Sequence, residues 1–134
     1  MTYCVGMRID KGLVFMSDTR TNAGIDNVST FKKMFAWSTP GERVIVIQTA
    51  GNLATTQAVI SLLEERMKAP ADRNPGILEV PTMFQVAKLV GDTLKEVVAA
   101  QSGQGPVADS AFSATIIVGG QIAGLVAYDQ AKKF

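Results

Sequence analysis

The sequence predicts an α+β protein in which helices pack on an antiparallel sheet. Three observations predict it. Segments with strand character crowd residues 2–50, two amphipathic stretches follow at 53–68 and 82–101, and two further strand signals flank Gly119-Gly120.

Residues 2–9 alternate, with Tyr3, Val5, Met7 and Ile9 on one face and Thr2, Cys4, Gly6 and Arg8 on the other. Asp10-Lys11-Gly12 is a hairpin-type turn. Residues 13–18 form a second strand, apolar on both sides until its end, as in a strand sandwiched between layers. Residues 19–30 are polar and rich in Gly and Asn, so a loop is expected. A short strand is expected over 32–37, begun by the two lysines and ended by Thr39-Pro40-Gly41. Residues 43–50 form a β-branched strand, broken by Gly51-Asn52.

In the first helix Ala54, Ala58, Leu62 and Val59, Leu63, Met67 make adjoining rows, and Glu64 precedes Lys68 by one turn. A connector spans 70–81. Thr82 and Gln85 fit a capping box for the second helix. Its stripe is Val86, Leu89, Val90, Leu94, Val97 and Val98. Strands are then expected over 112–118 and 122–128, joined by a hairpin at Gly119-Gly120. The six methionines and Trp37 read as core fillers, and Cys4 as a small hydrophobe.

Composition narrows the chemistry. The 134 residues fit one domain, 1–134, and 47% are hydrophobic, enough for a core. With 13 Lys+Arg against 12 Asp+Glu, nothing favours nucleic acid or an anionic membrane. The absence of His removes Ser-His-Asp and Cys-His catalysis and His-based zinc sites. A single Cys excludes an intrachain disulfide or a cysteine-rich metal site. No apolar run reaches the ~18 residues of a membrane span, and Arg8 and Asp10 interrupt any signal-peptide pattern. A reducing, cytoplasmic setting with no metal or cofactor is expected.

Without imidazole, a nucleophile needs another base: a Ser-Lys pair, a Lys Schiff base, or an N-terminal Thr using its own amine. Thr2 follows Met1 directly, and removing Met1 leaves a hydroxyl and an amine on one residue. An α-amino group titrates near ~7.7–8, so it accepts protons close to neutral pH. Asp18 ends the second strand and Lys33 begins the third, so either lies beside Thr2 if the three strands are neighbours. A lysine ammonium there would lower the pKa of the Thr hydroxyl, and an aspartate would hold the ammonium. Gly51, at a strand-to-helix junction, has a backbone N–H to offer an oxyanion.

The start Met1-Thr2-Tyr3-Cys4-Val5-Gly6-Met7, then Gly12 to Arg20, then Lys32-Lys33-Met34 and Ala50-Gly51, resembles the N-terminal nucleophile hydrolases of the proteasome family. The stretch to Phe35 looks most like the bacterial ancestral beta subunit type (Anbu). The resemblance implies a four-layer αββα sandwich and a threonine-type peptidase subunit. It implies Thr2 as nucleophile, Asp18 and Lys33 as electrostatic partners, Gly51 as oxyanion donor, and Thr21, Thr49 and Leu53 near the substrate side-chain pocket. It also implies self-association into a ring or helical homo-oligomer acting on peptides or unfolded protein.

The Thr2-to-Asp18 interval fits the family pattern, while the Lys33 interval runs one residue short, as a deletion within 19–30 would produce. The match covers residues 1 to about 125, the front part of the family's domain, so the chain is C-terminally short relative to it. A retained Met1 would turn the Thr2 amine into an amide, which is no base. Two rivals therefore stand beside the peptidase: a non-catalytic assembly subunit on the same scaffold, and an amidohydrolase of small amides.

Overall fold

A computed structural model of the protein describes residues 2–22, 28–68, 75–101 and 112–123. The element order is β1 (Cys4–Ile9), β2 (Gly12–Ser17), β3 (Arg20–Asn22), β4 (Val28–Thr30), β5 (Met34–Thr39), β6 (Arg43–Gly51), α1 (Leu53–Lys68), α2 (Met83–Gln101) and β7 (Ala114–Ile122). β1 and β2 form an antiparallel hairpin, β3 pairs with β4, and β5-β6-β7 form an antiparallel sheet with β6 central.

Period-two alternation along β6 assigns its two faces. Ile45 and Ile47 point to the helices and join Val59, Leu63, Val86, Val90 and Val118 in the buried core. Gln48 points the other way, onto the β1-β2 hairpin. Among the described residues the layers are thus hairpin, sheet and helices, an α+β arrangement. The outer helical layer of an αββα sandwich is not among them.

The hairpin meets the sheet through a glycine slot. The Phe15 ring lies over Gly119 and beside Gly6, so close that a Cβ on Gly119 would overlap it. Gly120 abuts the Val44 carbonyl on the neighbouring strand in the same way. These contacts correct one expectation. Gly119-Gly120 is no turn: β7 runs through both residues, with Val46 opposite Gly119 and Ile45 opposite Gly120. The two glycines permit close backbone and ring approach, a use that sequence does not separate from a hairpin turn. Most of the expected strand 122–128 lies outside the described residues.

Other differences are smaller. The expected loop 19–30 carries the β3-β4 pairing, and Lys33 immediately precedes β5 instead of starting it. β2 is not covered on both faces: Val14 and Met16 are exposed, along with Tyr3, Met7 and Ile9 on the same side of β1. Met7 and Met16 are therefore not core residues.

In α1 the buried face carries Thr55 and Thr56 with Val59, Ile60 and Leu63, while Ala54 is exposed. Both threonine hydroxyls are satisfied, Thr55 Oγ1 on Asn52 and on Gln101 of α2, and Thr56 Oγ1 on the Leu53 carbonyl. Arg66 of α1 pairs with Glu96 of α2, and no Glu64–Lys68 pair forms among the described residues. α2 begins as expected, with Thr82 Oγ1 accepting the Gln85 N–H at 3.2 Å, and it buries Val86, Val90 and Val97. The described end of the connector belongs to the core. Ile77 and Val80 are buried, and their carbonyls accept from Arg43 Nη1 at 3.1 and 2.6 Å, which satisfies that buried guanidinium together with Glu42.

The glycines give a stability test. Gly120→Ala, whose Cβ would strike main chain that cannot swing aside, is expected to lower unfolding free energy by ~1–3 kcal/mol or more. Gly91→Ala, in α2 with nothing within 4 Å of its added methyl, is expected to raise it by ~0.5–1 kcal/mol. Urea denaturation of both variants checks the pair.

Candidate active site

The site is built where the open end of the β1-β2 hairpin meets the start of β5. Beyond Cys4↔Ser17, the last pair of the ladder, the Asp18 N–H donates to the Tyr3 carbonyl at 3.0 Å. The Tyr3 N–H donates back to Asp18 Oδ1 at 2.9 Å. Asp18 thus grips Tyr3 at both polar groups of its main chain. Thr2, exposed, is the next residue out.

Lys33 arrives from the other sheet. The residue is 6% exposed, and its Nζ donates to both Asp18 oxygens at 3.0 Å and to the Arg20 carbonyl at 2.6 Å. A buried ammonium requires such partners, because removal from water costs several kcal/mol per ion. The Lys33 main chain is fixed as well: its carbonyl accepts the Thr49 N–H at 2.8 Å and Thr49 Oγ1 at 3.5 Å. The Tyr3 N–H, foremost, and Lys33 then hold the Asp18 carboxyl below its ordinary value of 3.8. Burial pushes the neighbouring Cys4 thiol up. Asp18 adds to that shift and Lys33 opposes it, and the Cys4 Sγ lies 3.8 Å from the Thr49 carbonyl.

Gly51 ends β6 with φ +104°, and a Cβ there would meet the Ser113 carbonyl oxygen at 2.7 Å, so the position needs glycine twice over. Asn52 then caps α1, its Oδ1 accepting the Thr55 N–H at 3.0 Å. Strand, glycine and helix cap follow in consecutive residues, which places Gly51 at the N-terminal end of α1.

The structure brings Asp18 and Lys33 into contact, sets Thr2 beside the residue Asp18 grips, and joins Thr49 to the Lys33 carbonyl. Thr49 is buried and Leu53 half-buried at the first turn of α1. Thr21 lies in β3 opposite Ser29, and its side chain is outside the described residues. Sequence reasoning missed the Arg20 carbonyl and Gln48. For Gln48 a signal existed, a lone amide directly after the apolar run Val44 to Ile47 within a β-branched strand.

A groove of about 830 Å³ opens at the other end of the hairpin, lined by Arg8, Lys11, Leu13, Phe15, Val44 and Gln121, away from these residues. Among the described residues no three His, Cys, Asp or Glu side chains group as metal ligands, and no helix is long and apolar enough to cross a membrane.

No protein-family model and no curated protein sequence matches the chain. Solved structures do. It is 43% identical to Anbu (ancestral beta-subunit) from Yersinia bercovieri, over 93% of this chain and 49% of that one, with TM-score 0.80. It is 41% identical to the chain in a helical assembly of the Anbu complex from Pseudomonas aeruginosa, over 99% and 56%, with TM-score 0.78. A Gly-1 mutant of Anbu from Hyphomicrobium sp. strain MC1 is 41% identical over 93% and 48%, with TM-score 0.76. The resemblance read from the first residues therefore extends through almost the whole chain, which spans about half the length of the structures it matches.

The Asp18 clamp has a pH signature. Its folded carboxyl titrates below 3.8, so its stabilising contribution is fully present above that value and is lost as pH falls through the lowered one. The stability difference between wild type and Asp18→Asn is expected to be constant at neutral pH and to shrink only under acid conditions. The Tyr3 amide resonance is expected to titrate with a midpoint below 3.8 in wild type and to stay flat in the variant. Nuclear magnetic resonance during acid titration checks both.

Proposed function

We propose that this chain is the front part of a threonine-type peptidase subunit of a proteasome-like assembly, with Thr2 as its nucleophile. The observation that carries the reading is the buried Lys33 ammonium on Asp18, whose other bond holds the main chain next to Thr2. A buried cation beside a hydroxyl favours the alkoxide that forms as the hydroxyl attacks.

Once Met1 is removed, Thr2 carries a free amine. That amine, through a water, takes the proton from Thr2 Oγ as Oγ attacks a peptide carbonyl. Lys33 stabilises the charge developing on Oγ, and the Gly51 N–H donates to the tetrahedral oxyanion. The protonated amine gives its proton to the leaving amine, leaving an ester on Thr2. Water then hydrolyses the ester and restores the hydroxyl. Thr21, Thr49 and Leu53 would bound the pocket for the substrate side chain, and the substrates would be peptides or unfolded protein in the bacterial cytoplasm.

The reading extends to the fold. The outer face of the hairpin, apolar and exposed at Tyr3, Met7, Ile9, Val14 and Met16, is where the second helical layer of an αββα sandwich would pack. Self-association into a ring or helix is part of the proposal, supported by the helical assembly of the Pseudomonas aeruginosa relative. A second reading is an assembly subunit on the same scaffold without turnover. The intact mass of the native protein separates the two, because retained Met1 leaves no amine base on Thr2.

With Met1 removed, Thr2→Ala is expected to reduce peptide cleavage to background. Its stability is expected to change by less than ~0.5 kcal/mol, as for an exposed surface position. Peptide turnover and thermal unfolding measured together check this. Undiminished turnover in the variant would remove Thr2 from the mechanism.

A further inference from the structure

We infer that Gln48 is a positioning residue that fixes the hairpin bearing Thr2 and Asp18 against the strand bearing Gly51, with Lys33 between them. The inference rests on the hydrolytic reading for its catalytic consequence, but its structural consequence is measurable alone.

Gln48 is 1% exposed at the centre of β6, paired with Met34 on one side and Ile117 on the other. Its Nε2 leaves the sheet and donates to the Val5 carbonyl of β1 at 3.1 Å and the Met16 carbonyl of β2 at 2.8 Å. Val5 and Met16 are cross-strand partners, so one amide holds both strands of the hairpin at a single rung. A carbonyl oxygen has two lone pairs and can accept this bond besides a ladder bond.

The place of that rung matters. From Val5↔Met16 the ladder runs through Cys4↔Ser17 to Tyr3 and Asp18, two residues away on each strand. On the sheet side, Gln48 neighbours Thr49, whose N–H fixes the Lys33 carbonyl. The amide therefore spans the gap between the sheets beside the point where Lys33 crosses it to reach Asp18.

The amide has an energetic cost that packing alone does not explain. Gln48 Oε1 is buried with no hydrogen-bond partner among the described residues. A leucine of similar size would fill the same space without an orphaned acceptor. What leucine lacks is the pair of directed N–H bonds. Phe15 and its glycines press the layers together, whereas the amide sets the register of the hairpin over β6.

The test compares Gln48→Leu and Gln48→Glu with wild type. In Gln48→Leu, amide exchange at Tyr3, the reporter of the Asp18 clamp, is expected to speed up at least tenfold while exchange in α2 and the urea midpoint stay near wild type. Covalent capture of Thr2 by a peptide epoxyketone, in which Oγ adds to the ketone and the freed α-amine opens the epoxide, is expected to slow about tenfold in its maximal rate with half-saturation unchanged. Compared with wild type at the same pH, Gln48→Glu is expected to lie closer to wild type than Gln48→Leu in Tyr3 exchange under acid conditions, where its carboxyl is protonated and can donate, and to lose that advantage as the carboxyl ionises.

Wild-type exchange at Tyr3 in Gln48→Leu overturns the inference. So does a uniform rise in exchange across the whole chain, which marks a residue that only stabilises the fold. If wild-type Thr2 takes no probe, the hydrolytic reading fails. The Tyr3 exchange result then still decides whether Gln48 sets the clamp.

Discussion

The arrangement depends on one buried positive charge. The ammonium of Lys33 enters the protein between two sheets, and an ammonium so placed is tolerated only with anionic and dipolar partners. Asp18 supplies both carboxylate oxygens and the Arg20 carbonyl supplies a third acceptor. Those partners come from the end of β2 and the start of β3. Satisfying one side chain therefore ties the stretch from Asp18 to Arg20 to the start of β5. The main chain at Tyr3 is drawn in because Asp18 Oδ1 accepts its N–H as well. Once the charge is satisfied, the main chain at Tyr3 has a fixed place.

That logic explains what was legible. The contact between Asp18 and Lys33 was legible because both residues stand at the ends of strand-like segments. Strand ends can be read even when boundaries shift by a residue or two. Lys33 lies just before β5 and not at its head, yet its side chain reaches the expected carboxylate. Gly51 is legible because a glycine between a β-branched strand and an amphipathic helix has few other uses, and its φ of +104° agrees.

The parts that sequence misread are those where one residue type serves two physical purposes. Gly119-Gly120 has turn chemistry, but here the missing Cβ atoms make room for Phe15 and for the Val44 carbonyl inside one continuous strand. The stretch 19–30 has loop composition, yet Arg20–Asn22 and Val28–Thr30 within it pair as short strands. Thr55 and Thr56 fall off any apolar stripe, and they are buried because their hydroxyls find acceptors within and between the helices. At Gly119, which faces Phe15, and at Thr55, which reaches Gln101, a partner distant in sequence decides the outcome, and periodicity carries no information about such partners.

The two sides of the ion pair differ in environment, and the difference bears on the chemistry. Lys33 is enclosed by the sheet, whereas the Asp18 side chain is 34% exposed and Tyr3 and Met16, on the outer face of the hairpin, are more exposed still. Interaction between charges scales inversely with effective dielectric, so the same Lys33 acts several times more strongly on a neighbouring hydroxyl at an effective dielectric of ~20 than in water near ~80. The exposed face of the hairpin, with Tyr3, Met7, Val14 and Met16, adjoins Thr2. A layer packed on that face would bury Met7, Val14 and Met16 and would also dry the surroundings of Asp18 and Thr2. Such a layer would thus couple the hydrophobic packing of the hairpin to the electrostatics around Asp18.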